Sequence, residues 1–171
     1  MDERYRKGKK LLNSKRASKL LKLQDDRKKG YNRTALHYAA RIGLTECCQL
    51  ILQSDQGACL ITIKDVDGET PLLLAASNGH LEIVKLLINT KHGLECIAMQ
   101  NSSGETPLHS AAYIDYFEIV KLLINTKQGL ESITMQNNWG DTPLHKAASW
   151  GYSKVVKILL QTKQGYGCPK N

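Results

Sequence analysis

The sequence predicts an all-α solenoid: antiparallel helix pairs stacked side by side and joined by projecting turns. A tetrapeptide recurs as Thr34-Ala35-Leu36-His37, Thr70-Pro71-Leu72-Leu73, Thr106-Pro107-Leu108-His109 and Thr142-Pro143-Leu144-His145, at steps of 36 residues. Alanine pairs follow each copy, and glycines punctuate both sides of it. A fixed period in this range marks a stack of one supersecondary unit. Such a chain is mostly scaffold, which argues against catalysis.

The first helix of each unit opens at the threonine. Thr caps free backbone N–H groups, and Pro71, Pro107 and Pro143 suit the first helical position. Ala39-Ala40, Ala75-Ala76, Ala111-Ala112 and Ala147-Ala148 let a second helix approach closely. Gly43, Gly79 and Gly151 end this helix, as residues that tolerate positive φ do. Asp115 stands at the same place in the third copy, and Asp adopts that conformation more readily than most residues.

The second helix reads Leu81 to Ile88 and Phe117 to Ile124. It is apolar except at Glu82 and Lys85, or Glu118 and Lys121. That narrow polar stripe predicts burial between neighbours. Gly57, Gly93, Gly129 and Gly165 are expected to end it, and the long period predicts that it is lengthened by most of a turn, past Asn89. The connectors that follow contain Ile97-Ala98-Met99 and Ile133-Thr134-Met135, then Gly104 and Gly140. They suit hairpin-like excursions. Residues 85–101 and 121–137 match at 14 of 17 positions, a sign of internal duplication.

Thr-Pro-Leu-His-x-Ala-Ala with two short helices and a turn connector resembles the ankyrin repeat. The resemblance covers residues 31–165 and implies four repeats, at about 31–65, 66–101, 102–137 and 138–165. It implies an L-shaped ankyrin-repeat solenoid with projecting hairpin tips, although 36 residues exceed the family's usual period of about 33. It also implies that His37, His109 and His145 hydrogen-bond neighbouring backbone.

Outside the repeats, residues 1–30 read as a basic helical cap or leader, with amphipathic helices over 5–29, and residues 166–171 as a C-terminal tail. Residues 1–33 carry 13 Lys/Arg and 4 Asp/Glu, against 11 and 12 in the remainder. The net charge of +8 is therefore a property of the leader. A solvated cap is expected, because terminal repeats need a polar outer face. A nuclear localisation signal or a nucleic-acid patch is the sharper alternative. The leader's one aromatic, Tyr5, gives no stacking platform, so nucleic acid is not the expected partner. Lys146 and Ser153 replace apolar residues of the other copies and read as a more polar face on the last repeat.

No apolar stretch is long enough to cross a membrane, and the charged N-terminus is not followed by an apolar signal region. Cys47, Cys48, Cys59, Cys96 and Cys168 form no CxxC pair, which fits reduced thiols in a cytoplasmic protein. Cys47, Cys48 and Cys96 are expected to be small buried residues, and Cys168 to be exposed. A nuclear location and a secreted effector of an intracellular microbe are the alternatives to a cytoplasmic one.

No phosphate loop, HExxH, GxSxG or paired catalytic carboxylate is present. The recurring histidines lie one repeat apart, whereas metal ligands must converge within a few ångströms. No enzyme activity, cofactor or metal is expected. The expected function is a monomeric protein-interaction module: a scaffold, adaptor or inhibitor. The family resemblance implies a concave binding side made of hairpin tips and first-helix ends. That map selects Glu69, Ser103, Glu105, Asn138, Trp139 and Asp141 on the tips, and Asn78, Tyr113, Ile114 and Trp150 at helix ends. Asp67, Ser103 and Trp139 share one repeat position, and Asn78, Ile114 and Trp150 another. Side chains so unlike one another do not serve a common packing role. Both tryptophans fall on these positions.

Overall fold

The computed structural model describes residues 23–25 and 30–164. The leader helices expected over 5–29, the expected helix end at Gly165, Cys168 and the tail at 166–171 lie outside the described residues, apart from 23–25. Two of those three dock on the first repeat: Gln24 Nε2 donates to the Asn32 carbonyl at 2.7 Å, and Tyr38 Oη donates to Asp25 Oδ2 at 2.6 Å.

Ten α-helices and no strand appear among the described residues. In chain order they are α1 Ala35–Ile42, α2 Thr45–Leu52, α3 Gly57–Leu60, α4 Pro71–Ser77, α5 Leu81–Ile88, α6 Pro107–Tyr113, α7 Phe117–Ile124, α8 Lys127–Ser132, α9 Pro143–Ser149 and α10 Ser153–Gln164. A 3-10 turn at Glu95–Ala98 takes the place of α3 and α8 in the second unit. The first helices α1, α4, α6 and α9 pack in one row, and the second helices α2, α5, α7 and α10 in another. Alanines 39, 40, 75, 76, 111, 112 and 147 are buried at the joins, with Leu36, Leu72 and Leu108. These residues and the inner faces of the second helices form one continuous core. Phe117 packs against it while only partly buried.

The threonine caps form as expected. Leu73 N–H donates to Thr70 Oγ1 at 3.2 Å, and His109 N–H to Thr106 Oγ1 at 3.4 Å. Asp115 adopts a φ of +62°, and so makes the turn that glycine makes at 43, 79 and 151.

The second helix is not lengthened. α5 stops at Ile88 with Asn89 as its cap, and α7 stops at Ile124. Thr90 Oγ1 donates to the Leu87 carbonyl at 2.6 Å and Thr126 Oγ1 to the Leu123 carbonyl at 2.7 Å, closing both helix ends. Gly93 and Gly129 do not end the second helix either. They press on its last turn, so that a Cβ on either would land on the carbonyl oxygen of Leu87 or Leu123. The extra residues of the 36-residue period build a third layer, in which α8 packs on the 3-10 turn. Only α10 runs longer, and there Thr162 Oγ1 donates to the Ile158 carbonyl at 2.7 Å inside the continuing helix.

Two further expectations are corrected. Cys47 is exposed, because it points away from the core beside the buried Cys48. Arg33, counted with the solvated leader, is buried: its Nε lies 2.8 Å from Asp65 Oδ2 and its Nη2 3.0 Å from Glu69 Oε2. Cys48 and Cys96 are buried, which pushes their thiols up to about 11 and about 12 respectively.

Gly129→Ala is expected to destabilise the protein by about 2–3 kcal/mol, since the Leu123 carbonyl has to move. The opposing helix preference of Ala is worth about 1 kcal/mol, so a net loss isolates the contact. Gly140→Ala, at a φ of +82° with nothing within 4 Å, is expected to cost only strain of about 1 kcal/mol. Urea titration of the two variants checks the order.

Candidate functional site: an aromatic and ionic cluster on the last two repeats

Each connector tip is held by one side chain. Asp65, Asn101 and Asn137, at 36-residue steps, each accept two backbone N–H bonds through Oδ1. Their donors are Asp67 and Glu69 (3.0 and 2.8 Å), Ser103 and Glu105 (3.0 and 2.9 Å), and Trp139 and Asp141 (3.0 and 2.9 Å). Adjacent tips are then joined by one backbone bond each. Val66 N–H donates to the Tyr31 carbonyl, Ser102 N–H to Asp67 and Asn138 N–H to Ser103, at 2.8–3.0 Å. Asn138 Nδ2 adds a bond to the Ser102 carbonyl at 2.9 Å. Trp139 therefore stands on a fixed tip.

The recurring histidines tie helix to connector. Thr106 N–H donates to His109 Nδ1 at 3.2 Å, so Nδ1 accepts and Nε2 carries the proton toward the Asp141 carbonyl at 3.1 Å. His37 repeats this with Thr34 on one side, at 3.1 Å, and the Ile63 and Glu69 carbonyls on the other, at 3.1 and 3.2 Å. His145 keeps the bond from Thr142 N–H at 3.2 Å but is exposed. His80 is structural too: its Nε2 lies 3.0 Å from the Arg41 carbonyl of the preceding repeat.

Five residues of repeats 3 and 4 converge. Lys146 on α9 places Nζ 2.6 Å from Glu105 Oε1, on the connector before α6. The same Nζ lies 5.1 Å from the centroid of the Tyr113 ring and 5.4 Å from that of Trp139. Trp150, the residue that closes α9, meets Tyr113 edge-on at 5.4 Å and 90°. Trp139 is 68% exposed and Trp150 58%, whereas the Lys146 side chain is only 17% exposed. The tryptophans thus form surface rather than core, and Lys146 is not the solvating residue its polarity implied.

The remaining sequence-selected positions serve other ends. Ile114, beside Tyr113, is exposed. The Asp141 and Ser103 backbones belong to the tip bonds above. Asn78 closes α4, its Nδ2 donating to the Leu74 carbonyl at 2.8 Å. Glu69 is drawn to Arg33, away from the cluster. Asp65, Asp67 and Glu69 bring carboxylate oxygens within 4.8 Å of one another, the one such grouping among the described residues. Arg33 takes up two of the three carboxylates, and Asp65 is also engaged by backbone N–H groups, so the group reads as an ion-pair clamp between repeats. A pocket of ≈ 160 Å³ is lined by Ile133, Thr142, Leu144, His145 and Leu159, between the last two repeats.

Lys146 was missed because comparison of repeats sets it against Tyr38, Leu74 and Ser110, where a lysine reads as solvation. Its place one helical turn before Trp150 was the available signal. Arg33 offered none.

Stacked helix pairs with tips locked by Asx bonds define a helical repeat protein. The family model described as "Ankyrin repeats (3 copies)" matches residues 8–98 and 95–170. The chain belongs to the ankyrin-repeat family, whose repeats generally mediate protein–protein interactions. Comparison with curated proteins finds no match. No helix among the described residues is long and apolar enough to cross a membrane.

Burial holds the imidazole of His109 below its ordinary value of 6.5, against the opposing pull of its bond to the Asp141 carbonyl. Burial does the same to His37. On acidification the unfolded chain binds the proton first, so this stability is full above about pH 6.5 and drains as pH falls toward the folded-state value. Leu73 fills the equivalent place in repeat 2, so His109→Leu is sterically reasonable. The variant is expected to be less stable than the parent near pH 8 and to lose less between about pH 8 and about pH 5.5. Urea midpoints at the two pH values check this.

Proposed function

We propose that this chain is a non-catalytic protein-interaction module that receives a protein partner on the tips and first-helix ends of repeats 3 and 4, along the concave side of the stack. The observation that carries the reading is the exposed group of Tyr113, Ile114, Trp139 and Trp150 around the Glu105–Lys146 pair. Large exposed apolar groups rimmed by charge mark interaction sites, and hot spots are enriched in Trp and Tyr. The family's general role in protein–protein contact supports the same reading. Glu105 and Asp141 form the rim, with Asn138 and Ser103 beside them. Glu69 and Asn78 contribute as outer contacts of the same side. The repeats are assigned to 31–65, 66–101, 102–137 and 138–165, with residues 1–30 as a cap, in a cytoplasmic monomer.

Trp139→Ala and Trp150→Ala are each expected to weaken capture of a protein partner by about 2 kcal/mol, roughly 30-fold, while shifting stability by less than about 0.5 kcal/mol. Affinity capture from a cytosolic extract identifies the partner. Titration of that partner against both variants, beside their melting temperatures, supplies the comparison. Unchanged affinity with a large fall in melting temperature would assign the rings to packing instead.

A further inference from the structure

The ring cluster already holds a cation, and that cation belongs to the chain itself. We infer that Glu105, Tyr113 and Trp139 form a receptor for a lysine or arginine side chain of the protein partner, and that Lys146 occupies it as an internal stand-in until the partner arrives. This inference rests on the interaction surface proposed above and names its chemistry.

Four observations support it. First, Lys146 Nζ meets a carboxylate oxygen at 2.6 Å and two ring centroids at 5.1 and 5.4 Å. A carboxylate beside aromatic faces is a set of groups that attracts an ammonium or guanidinium.

Second, the receptor is held independently of the lysine. Asn137 and the backbone bond from Asn138 to Ser103 fix the Trp139 tip, Trp150 braces Tyr113 edge-on, and Asn101 fixes the Glu105 backbone. Lys146 itself hangs on a flexible four-carbon stem from α9. It can swing out without disturbing the rest.

Third, the lysine is particular to this repeat. The matching positions Tyr38, Leu74 and Ser110 carry no cation. The stack does not need a charge there.

Fourth, the surroundings are acidic once Lys146 leaves. Glu105 stands on the connector before α6 and Asp141 two residues from Trp139 on the connector before α9, so the vacated site is anionic and aromatic and complements a basic segment. An acidic partner would have to be held by Lys146 instead, against those two carboxylates.

The internal lysine competes with the partner's cation, so its removal raises affinity. The probe is a hexa-arginine peptide, read by tryptophan fluorescence, since Trp139 and Trp150 are the chain's two tryptophans. Lys146→Met is expected to bind the peptide about fivefold tighter than the parent, the effect of a competing cation–π contact near 1 kcal/mol. Lys121→Met, an exposed lysine on α7, makes the same change in net charge and is expected to leave affinity near the parent's. Adding Glu105→Gln to Lys146→Met is expected to remove the gain. Lys146→Gln repeats the measurement with a polar side chain, and melting temperatures confirm that each variant is folded. The inference is overturned if Lys146→Met and Lys146→Gln bind no tighter than Lys121→Met. It is equally overturned if the parent binds a hexaglutamate peptide and loses it with Lys146. In either case, continued loss of partner capture in Trp139→Ala would leave the interaction surface standing without the cation receptor.

Discussion

The bond on which this stack depends is made by one imidazole facing two ways. In repeats 1 and 3 the Nδ1 of His37 or His109 accepts the threonine N–H at the helix start, which fixes the tautomer. The Nε2–H is thereby committed to donate, and it reaches carbonyls of the next connector, at Ile63 and Glu69 or at Asp141. The same side chain caps a helix and registers the following repeat. A neutral ring is required for both tasks at once, because protonation would place a second N–H against the threonine donor. Repeat 2 carries Leu73 instead, and its junction with repeat 3 rests on bonds that the next junction also makes: Lys64 Nζ to the Gln100 carbonyl at 2.8 Å and Ser102 N–H to Asp67, matched one repeat on by Gln100 Nε2 to the Gln136 carbonyl at 3.0 Å and Asn138 N–H to Ser103.

Most of the fold was legible because its cause is local. Thr-Pro sets a cap and a first turn, alanines set the spacing, and glycine or Asp115 sets the reversal. These signals act within a few residues, so a sequence shows them directly. The third layer was not legible for the opposite reason. Gly93 and Gly129 read as helix stops, yet what they provide is room for a close approach to the carbonyls of Leu87 and Leu123. The extra residues of the period looked like added helix because nothing local forbids a helix through Asn89. Thr90 and Thr126 close the helix by bonds that only the folded turn reveals. Cys47 failed similarly, since α2 turns Cys48 and Ile51 to the core and leaves Cys47 exposed, a choice of face that the adjacent cysteines do not reveal.

The candidate site divides along the same line. Trp139 and Trp150 stood out because repeats provide an internal control, and a side chain that departs from its counterparts is free of the common packing role. Departure alone is not a sign of function, however. Cys96 and Ser132 also differ at one position, yet Cys96 Sγ lies 3.4 Å from the Ile61 carbonyl and Ser132 Oγ lies 3.3 Å from the Ile97 carbonyl. Two residue types there do one structural job. What separates the tryptophans is exposure, and exposure is a property of the assembled stack. Lys146 and Arg33 show the converse. Each read as solvated charge, and each turns inward to a carboxylate supplied by a neighbouring connector, over distances in sequence that no local pattern spans.

The fold and the candidate site share their hinge of precision. Glu105 sits on the connector before α6, and Trp139 on the connector before α9. Nothing covalent and local sets the distance between those two tips. The His109 bond to the Asp141 carbonyl sets it, together with the backbone bond from Asn138 to Ser103 and the Asn138 side-chain bond to Ser102. Lys146 then bridges tips whose spacing is already fixed. A cluster built across a repeat boundary inherits the accuracy of the repeat-to-repeat bonds, and it can vary in side chain without cost to them. That separation explains how the chain keeps its repeat-to-repeat bonds while the side chains on one side of its last two units depart from those of their counterparts.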